Sequence, residues 1–412
     1  MSSKNQERIN HHNTEFEQKS SIYIHFPFCQ QRCSYCDFVT FAGKNHLIPD
    51  YSAAVKKEMK ALSRKIEPGS EVHTIYFGGG TPSLFPIKIL EEIKDCLFSQ
   101  YPVSDDAEIT MEINPGTVSP SYLEAIRNLK VNRLSIGMQS GDDSELELLG
   151  RIHNYSKFEE TIDDVKHAGF SNISFDLIYG IPGQSHQSWK KTVEKAIGLA
   201  PTHLSIYGLT IEEETPFGKL LEQGKITHPD EDLMAEMYEL ATELLQKSGF
   251  EQYEISNWAR MKEDGTLFSS FHNLQYWRNL PYLGFGPGAH GSYSGIRTAN
   301  TTSVEDYLKY SETNDYHQFP LSFATKTWEV IGRKEQMQET MMLGLRLTRE
   351  GVSEVAFNLR FGVEPYDAFR EELDLLISQG LVERIHDSRK TVRISKKGRL
   401  LGNQVFMHFV GD

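Results

Sequence analysis

Three cysteines lie within eight residues of the chain, and their spacing is the pattern best able to do chemistry. They are Cys29, Cys33 and Cys36, and the sequence contains one other cysteine, Cys96. Thiolates are the soft ligands that hold iron–sulfur clusters, and three of them on a four-iron cube leave one iron without a protein ligand. The spacing therefore predicts a [4Fe–4S] cluster with one iron open for chemistry.

Two other uses of the three cysteines compete with this interpretation. A disulfide would leave the third thiol unpaired, and residues 1–20 are polar and lack the apolar run of a secretory signal. A structural zinc site would need a fourth ligand, such as His25 or a distant histidine. Zinc remains the alternative to the cluster.

The composition limits the classes of partner. The chain has 412 residues, with 43 Lys and Arg against 57 Asp and Glu, which gives a net charge of −14. A charge of this sign argues against nucleic acid as a partner, because affinity for phosphates comes from cations. No apolar run approaches the roughly 20 residues that cross a bilayer. We expect a soluble, cytoplasmic protein that is not an integral membrane protein.

The first half of the chain alternates strand-like and helix-like segments, which predicts a parallel sheet with helical crossovers. Six strands and five intervening helices favour an α/β fold, an incomplete (β/α)6 barrel. The predicted strands are Ile22–Phe26, Thr74–Phe77, Glu108–Ile113, Arg133–Met138, Asn172–Ile178 and His203–Tyr207. The predicted helices are Tyr51–Lys65, Pro86–Phe98, Ser121–Leu129, Lys157–Ala168 and Gln187–Leu199.

Polar or glycine-rich groups lie at or near the carboxyl end of each predicted strand, and this decides between a barrel and an open sheet. In strand order these are the cysteine loop, Gly78–Pro82, Glu112, Gln139, Asp176 and Tyr207. In a barrel all such ends meet at one mouth, where active sites lie. The pattern therefore favours the barrel.

The chain divides into four predicted regions. Residues 1–20 form a flexible tail, 21–250 the partial barrel, 251–331 an aromatic and glycine-rich connecting segment, and 332–412 a C-terminal domain. Three helices, a turn at 387–389 and a short hairpin make the last region winged-helix-like. The helices are predicted at Lys334–Leu345, Ala356–Phe361 and Asp367–Gln379, and the hairpin strands at Gly380–Arg384 and Thr391–Ile394. Because this region is not strongly basic, we expect it to pack on the barrel and not to bind DNA.

The cysteine spacing, placed after an apolar strand with Tyr35 just before the last cysteine, resembles the cluster loop of radical S-adenosylmethionine (radical SAM) enzymes. More narrowly, Tyr23–Cys29 resembles the family of oxygen-independent coproporphyrinogen III oxidase and its heme-chaperone relatives. The resemblance runs from Ile22 to the C-terminus. It implies that S-adenosylmethionine binds the open iron and that a reductant protein supplies the electron that cleaves it.

The resemblance also implies which residues bind S-adenosylmethionine, and each has a plainer alternative. Gly79, Gly80 and Thr81 would hold the methionine end, and Glu112 the ribose. Arg151 could instead be a surface ion-pair partner, and Asp176 could cap a backbone amide. Tyr23 and Tyr35 could simply pack the core. The remaining implied contacts are Gln139, Arg151, Asp176, Tyr23 and Tyr35. Whether a second S-adenosylmethionine binds stays open.

A second segment, His272-Asn273-Leu-Gln-Tyr276-Trp277, resembles the part of the heme-chaperone relatives that is tied to heme binding. An imidazole can ligate heme iron while aromatic rings cover the porphyrin. His290 is a second candidate ligand. The alternative is that these aromatics pack a loop against the barrel mouth.

Two departures from the oxidase pattern favour a chaperone. The oxidase carries a further cysteine two residues after the third ligand, where this chain has Phe38, and the segment before the first strand is short. We therefore expect a protein that binds heme and hands it to respiratory hemoproteins, membrane-associated ones among them. The alternative is an enzyme that acts on a tetrapyrrole, either the oxidase or a heme-modifying relative.

Overall fold

The predicted central strands are all present in the fold. A computed structural model of the protein describes residues 19–63, 71–313, 318–386 and 390–410. The predicted tail lies outside these ranges except for Lys19 and Ser20, which begin the first strand. The predicted turn at 387–389 also lies outside them.

The strands, in chain order, are β1 (Lys19–Phe26), β2 (Phe28–Cys29), β3 (Phe41–Ala42), β4 (Glu71–Gly79), β5 (Val103–Ile113), β6 (Arg133–Gln139), β7 (Ile173–Tyr179), β8 (His203–Gly208), β9 (Phe250–Glu254), β10 (Asn257–Arg260), β11 (Tyr282–Phe285), β12 (His290–Tyr293), β13 (Ile296–Asn300), β14 (Thr325–Val330), β15 (Val352–Ser353), β16 (Val382–Ile385) and β17 (Thr391–Ile394).

The α-helices are α1 (Ile48–Ser63), α2 (Ile87–Gln100), α3 (Pro120–Asn128), α4 (Asp143–Leu148), α5 (Tyr155–His167), α6 (His186–Gly198), α7 (Pro216–Glu222), α8 (Glu231–Lys247), α9 (Phe271–Trp277), α10 (Val304–Ser311), α11 (Arg333–Gly344), α12 (Glu354–Phe361), α13 (Pro365–Ala368), α14 (Arg370–Ser378), α15 (Lys396–Leu400) and α16 (Gly402–Met407). Two short 3₁₀ helices, Asn45–Leu47 and Pro82–Leu84, precede α1 and α2.

The main sheet is larger than the six predicted strands. Within the described ranges it has 12 strands in the order β14-β13-β12-β11-β1-β4-β5-β6-β7-β8-β10-β9. Strands β1 and β4 to β8 pair in parallel, and β11 pairs parallel to β1. The outer strands β12 to β14, β10 and β9 pair antiparallel.

The region 251–331 is therefore not a connecting segment: it extends the sheet at both edges. It supplies β10 to β14 and most of β9. These strands are four to six residues long. Such short runs, two of which contain glycine, are too short to show clearly the two-residue alternation on which strand prediction rests.

Side chains alternate between an apolar and a polar face along the central strands. In β5, Ile109, Met111 and Ile113 belong to the apolar core that the surrounding helices cover. Their neighbours Glu108 and Thr110 are also buried, but on the other face. Because successive strand residues point to opposite faces, the inside of the partial barrel is lined with polar groups. A polar interior suits a binding cavity better than a packed core.

The C-terminal region has an apolar cluster of its own, which includes Met341, Phe357, Leu373 and Ile394. Its helices α11, α12 and α14 and the strands β16 and β17 fall where the sequence predicts them, and β15 adds a third strand. Two bonds of the Arg278 guanidinium to Glu350, at 2.9 and 2.7 Å, join this region to α9. None of the described helices has the length and apolar character needed to cross a membrane.

Candidate functional site

The cysteine loop and the carboxyl ends of the central strands surround one cavity of about 530 Å³. Most of the residues that the sequence assigns to cluster and cofactor line it. These are Cys29, Cys33, Cys36, Tyr35, Gly79, Gly80, Thr81, Glu112, Gln139, Arg151 and Asp176. The structure thus brings together residues that are up to 147 positions apart in the chain.

The cysteine loop is held against neighbouring segments by backbone hydrogen bonds. The Ser34 amide donates to the Leu149 carbonyl at 2.9 Å, and the Phe217 amide donates to the Ser34 carbonyl at 2.9 Å. Across the described residues, no group of three His, Cys, Asp or Glu side chains is arranged to hold a single metal ion. In a four-iron cube each thiolate binds a different iron, so the three thiols of a cluster site need not converge on one point.

Two donors reach the thiols from inside the barrel. Arg151 donates to Cys33 Sγ at 3.5 Å and to Asn114 Oδ1 at 2.6 Å. Thr81 Oγ1 donates to Cys29 Sγ at 3.6 Å. Arg151 therefore faces the cavity and is not a surface ion-pair partner. Burial raises the pKa of the Cys29 thiol to about 11.

Glycines are required where β4 ends beside the cysteine loop. A Cβ on Gly80 would lie 2.7 Å from the carbonyl oxygens of Phe26 and Phe28 and 3.1 Å from Cys29 Sγ. Gly79 has φ of +109°, which side chains rarely adopt. The strand end can therefore bring its backbone close to the cluster loop only with these residues.

Two buried carboxyl groups face the cavity. Glu112 accepts hydrogen bonds from the Tyr76 hydroxyl and the Gly79 amide, both at 2.9 Å, and burial raises its pKa to about 7. Asp176 accepts from the Ser135 hydroxyl at 3.0 Å, and burial raises its pKa to about 6. Both carboxyls can accept bonds from a ligand's hydroxyl or amino groups.

The two tyrosines predicted to pack on the cofactor are placed differently. Tyr35 lines the cavity, whereas Tyr23 is not among its lining residues. The Tyr23 hydroxyl is 3.0 Å from His25 Nδ1, and its ring stacks on Tyr76 with centroids 6.1 Å apart. Tyr76, and not Tyr23, lines the cavity beside Glu112.

Several residues that line the cavity were not predicted from the sequence, chiefly Tyr76, Arg133, Ser135 and Gly137. Three of them could have been predicted from the alternation of side chains along a strand. Arg133, Ser135 and Gly137 are alternate residues of the predicted strand Arg133–Met138, so they share one face, and Gln139 follows at the carboxyl end of that strand.

The predicted heme segment forms the helix α9, capped by Ser270, whose hydroxyl accepts from the Asn273 amide at 3.3 Å. Of its four predicted heme-binding residues, Asn273 lines the cavity. His272 is buried in the barrel, and Trp277 lies 4.4 Å below the Arg346 guanidinium. His290 is exposed on β12 and does not line the cavity.

Two regions of the chain match known protein families. Residues 23–196 match the Radical SAM superfamily, and residues 331–401 match the HemN C-terminal domain. The solved structure of coproporphyrinogen III oxidase (HemN) from Escherichia coli has the same fold, with a TM-score of 0.78 at 21% identity over 98% of this chain and 93% of that one.

Curated relatives match over nearly the full length. The heme chaperone HemW of Bacillus subtilis is 35% identical over 95% of this chain and 99% of its own. The mitochondrial radical S-adenosyl methionine domain-containing protein 1 of Mus musculus is 34% identical over 88% of this chain and 82% of its own. The chain belongs to the HemW family of coproporphyrinogen III oxidase-like radical SAM proteins.

Proposed function

We propose that this protein is a heme chaperone that carries a [4Fe–4S] cluster with S-adenosylmethionine in the barrel cavity and passes heme to acceptor hemoproteins. The main support for the proposal is the cavity itself, which is lined by three thiols, by the glycines at the end of β4 and by two buried carboxyl groups. The similarity to proteins named heme chaperones over 95% of the chain supports the cargo.

Cys29, Cys33 and Cys36 would hold the cluster, and the Gly79–Thr81 backbone with Glu112, Gln139, Arg151 and Asp176 would hold S-adenosylmethionine. When bound, the cluster and S-adenosylmethionine supply one-electron chemistry, for which a reductant protein delivers the electron. Arg151 orients Cys33 through its 3.5 Å bond, and Glu112 offers its carboxylate to hydroxyl donors. Tyr35 covers the cavity beside the cysteines.

Heme is the cargo in this proposal, with His272 as the iron ligand and Asn273, Tyr276 and Trp277 as its surroundings. The acceptors are hemoproteins, including membrane-associated ones. A titration with heme after anaerobic cluster reconstitution tests the site. We expect saturable heme binding that His272→Ala weakens while the iron and sulfide content stays unchanged, because His272 does not line the cavity that the three cysteines line. Unchanged heme affinity in His272→Ala would remove the residue from the site.

The alternative is that the protein is an enzyme that alters a tetrapyrrole. The fold that it shares with the oxidase is compatible with this alternative. Phe38 argues against the enzyme, because it is an exposed residue at a position where the oxidase pattern has a cysteine. Anaerobic incubation with coproporphyrinogen III, S-adenosylmethionine and a reductant separates the two. A chaperone leaves the macrocycle unchanged, whereas formation of protoporphyrinogen would establish the enzyme. Cys29→Ala is the control, since it lacks a cluster ligand.

A further inference from the structure

Both ring nitrogens of His272 are already bonded inside the barrel. Thr74 Oγ1 donates its proton to Ser21 Oγ at 2.6 Å, so it accepts from His272 Nδ1 at 2.8 Å. This assigns the proton to Nδ1 and leaves the lone pair on Nε2. Tyr276 Oη lies 2.8 Å from Nε2 and donates to that lone pair. The Nε2 lone pair that would bind heme iron therefore already accepts a hydrogen bond from Tyr276.

His272 is also buried too deeply in the barrel to contact a ligand as large as heme. The side chain is 1% exposed, and its ring lies 5.0 Å from the ring of Tyr76 and 6.4 Å from that of Tyr23. Its backbone amide donates to Glu108 Oε1 at 3.1 Å. Since these contacts come from β1, β4 and β5, His272 can reach heme only if α9 moves away from the sheet.

The same helix forms part of the cavity wall. Asn273 lines the cavity, and Tyr76, against which His272 packs, donates to Glu112 Oε1 at 2.9 Å. A ligand bound at Glu112 is thus separated from His272 by one tyrosine. At its far end α9 is tied to the C-terminal region by the bonds of Arg278 to Glu350. Movement of α9 would change the cavity and the C-terminal contact together.

We propose that α9 is a latch with two positions. In the position seen here the latch closes the cavity wall and Tyr276 blocks His272 Nε2, and in the second position it releases Nε2 to heme iron. The latch rests on the proposed function, because it assumes that His272 binds heme. A ligand that contacts the closed wall favours the closed position, so S-adenosylmethionine and heme weaken each other's binding by the same factor.

Removal of the blocking hydroxyl tests the latch. Tyr276→Phe keeps the ring and deletes the bond to Nε2, so heme affinity should rise about 2- to 10-fold, the worth of one hydrogen bond. Thr74→Val, which removes the partner of Nδ1, should act in the same direction. Thr110→Val is the matched control, because the Thr110 hydroxyl is buried in the same barrel and has no partner among the described residues. Unchanged or lower heme affinity in both test variants would overturn the latch.

The coupling has its own measurement. Heme is titrated into reconstituted wild-type protein with and without S-adenosylmethionine, in the absence of a reductant, and amide hydrogen exchange is followed in 271–277. We expect S-adenosylmethionine to lower heme affinity and to slow exchange in these residues. Equal or tighter heme binding would contradict the latch.

The two proposals fail in different ways. Loss of heme affinity in His272→Ala, without any response to Tyr276→Phe, Thr74→Val or S-adenosylmethionine, would overturn the latch and leave the chaperone function standing. Full heme affinity in His272→Ala would overturn the heme site itself.

Discussion

At the scale of single residues, the four cysteines differ in what surrounds each thiol. Cys29, Cys33 and Cys36 line the cavity, whereas Cys96 lies on α2 in the apolar core, with its Sγ 3.7 Å from the Lys56 carbonyl. We predict that alanine at any of the first three abolishes the cluster's visible absorption after anaerobic reconstitution and that Cys96→Ala keeps it. Loss of the cluster in Cys96→Ala would mean that a fourth protein thiol is a ligand.

Glu112 should make stability depend on pH in a definite direction. Burial raises its pKa from 4.5 to about 7, so the folded protein holds this proton more tightly than the unfolded chain does. Stability from this group is therefore present below pH 4.5 and is lost as the pH rises to about 7. Glu112→Gln mimics the protonated acid and should avoid the loss.

We predict that the free energy of unfolding of Glu112→Gln, relative to wild type, rises by about 1–3 kcal/mol between pH 5 and pH 8. Urea unfolding of the metal-free protein at the two pH values measures it. Glu91→Gln, a substitution on the exposed face of α2, is the control and should show no such rise. A difference that is independent of pH would show that the Glu112 carboxyl is ionised at both values.

The same carboxylate should contribute to cofactor affinity. Glu112→Ala removes a charged acceptor for ligand hydroxyls and should weaken S-adenosylmethionine binding by about 1–3 kcal/mol. Calorimetry on reconstituted protein measures the affinity, and iron content checks that the cluster remains. Wild-type affinity in the variant would leave Glu112 with only its bonds to Tyr76 and Gly79.

At the scale of elements, one buried glutamate on α1 holds the outer strands to the barrel. Glu58 accepts from the Gly286 amide at 2.9 Å, Asn300 Nδ2 at 2.9 Å, the Tyr307 hydroxyl at 2.8 Å and the Ser322 hydroxyl at 2.7 Å. These donors follow β11, end β13, lie on α10 and precede β14. The edge of the sheet that the sequence did not predict is thus fixed to a predicted helix by one side chain.

We predict that Glu58→Ala lowers the free energy of unfolding by at least about 3 kcal/mol, because four buried donors lose their acceptor. Denaturant unfolding measures the change. Glu92→Ala, on α2, removes a partly exposed ion pair with Lys56 and should cost much less than Glu58→Ala, because water screens the pair. Similar losses in the two variants would argue that burial adds nothing to the Glu58 bonds.

The sequence was sufficient for the central strands and for most of the cavity, for a physical reason. Long strands with apolar alternate residues show a clear period, and the groups at their carboxyl ends meet wherever the sheet closes. Glu112, Gln139 and Asp176 were found in this way. The directions in which the side chains of Tyr23 and His272 point could not be predicted. They depend on contacts with Tyr76, Thr74 and Glu108, which lie on other strands.

At the scale of the whole molecule, α9 connects the barrel cavity with the C-terminal region. Its Asn273 lines the cavity, and Trp277 and Arg278 contact Arg346 and Glu350 beyond α11. The helix sequence resembles a heme-binding segment, and the structure places it between the two parts of the chain. The proposed cofactor site and the proposed heme site are therefore neighbours in space, although Cys36 and His272 are 236 positions apart in the chain.

Heme transfer to an acceptor tests the chaperone function most directly. Reconstituted protein loaded with heme is mixed anaerobically with a heme-depleted respiratory hemoprotein, and the acceptor's spectrum and the mass of its bound macrocycle are measured. We predict that unaltered heme passes to the acceptor from wild type and from Cys96→Ala, and that His272→Ala, in which we expect heme to bind weakly, delivers much less. Heme that stays on the wild-type chain, or a macrocycle of changed mass, would contradict the chaperone function.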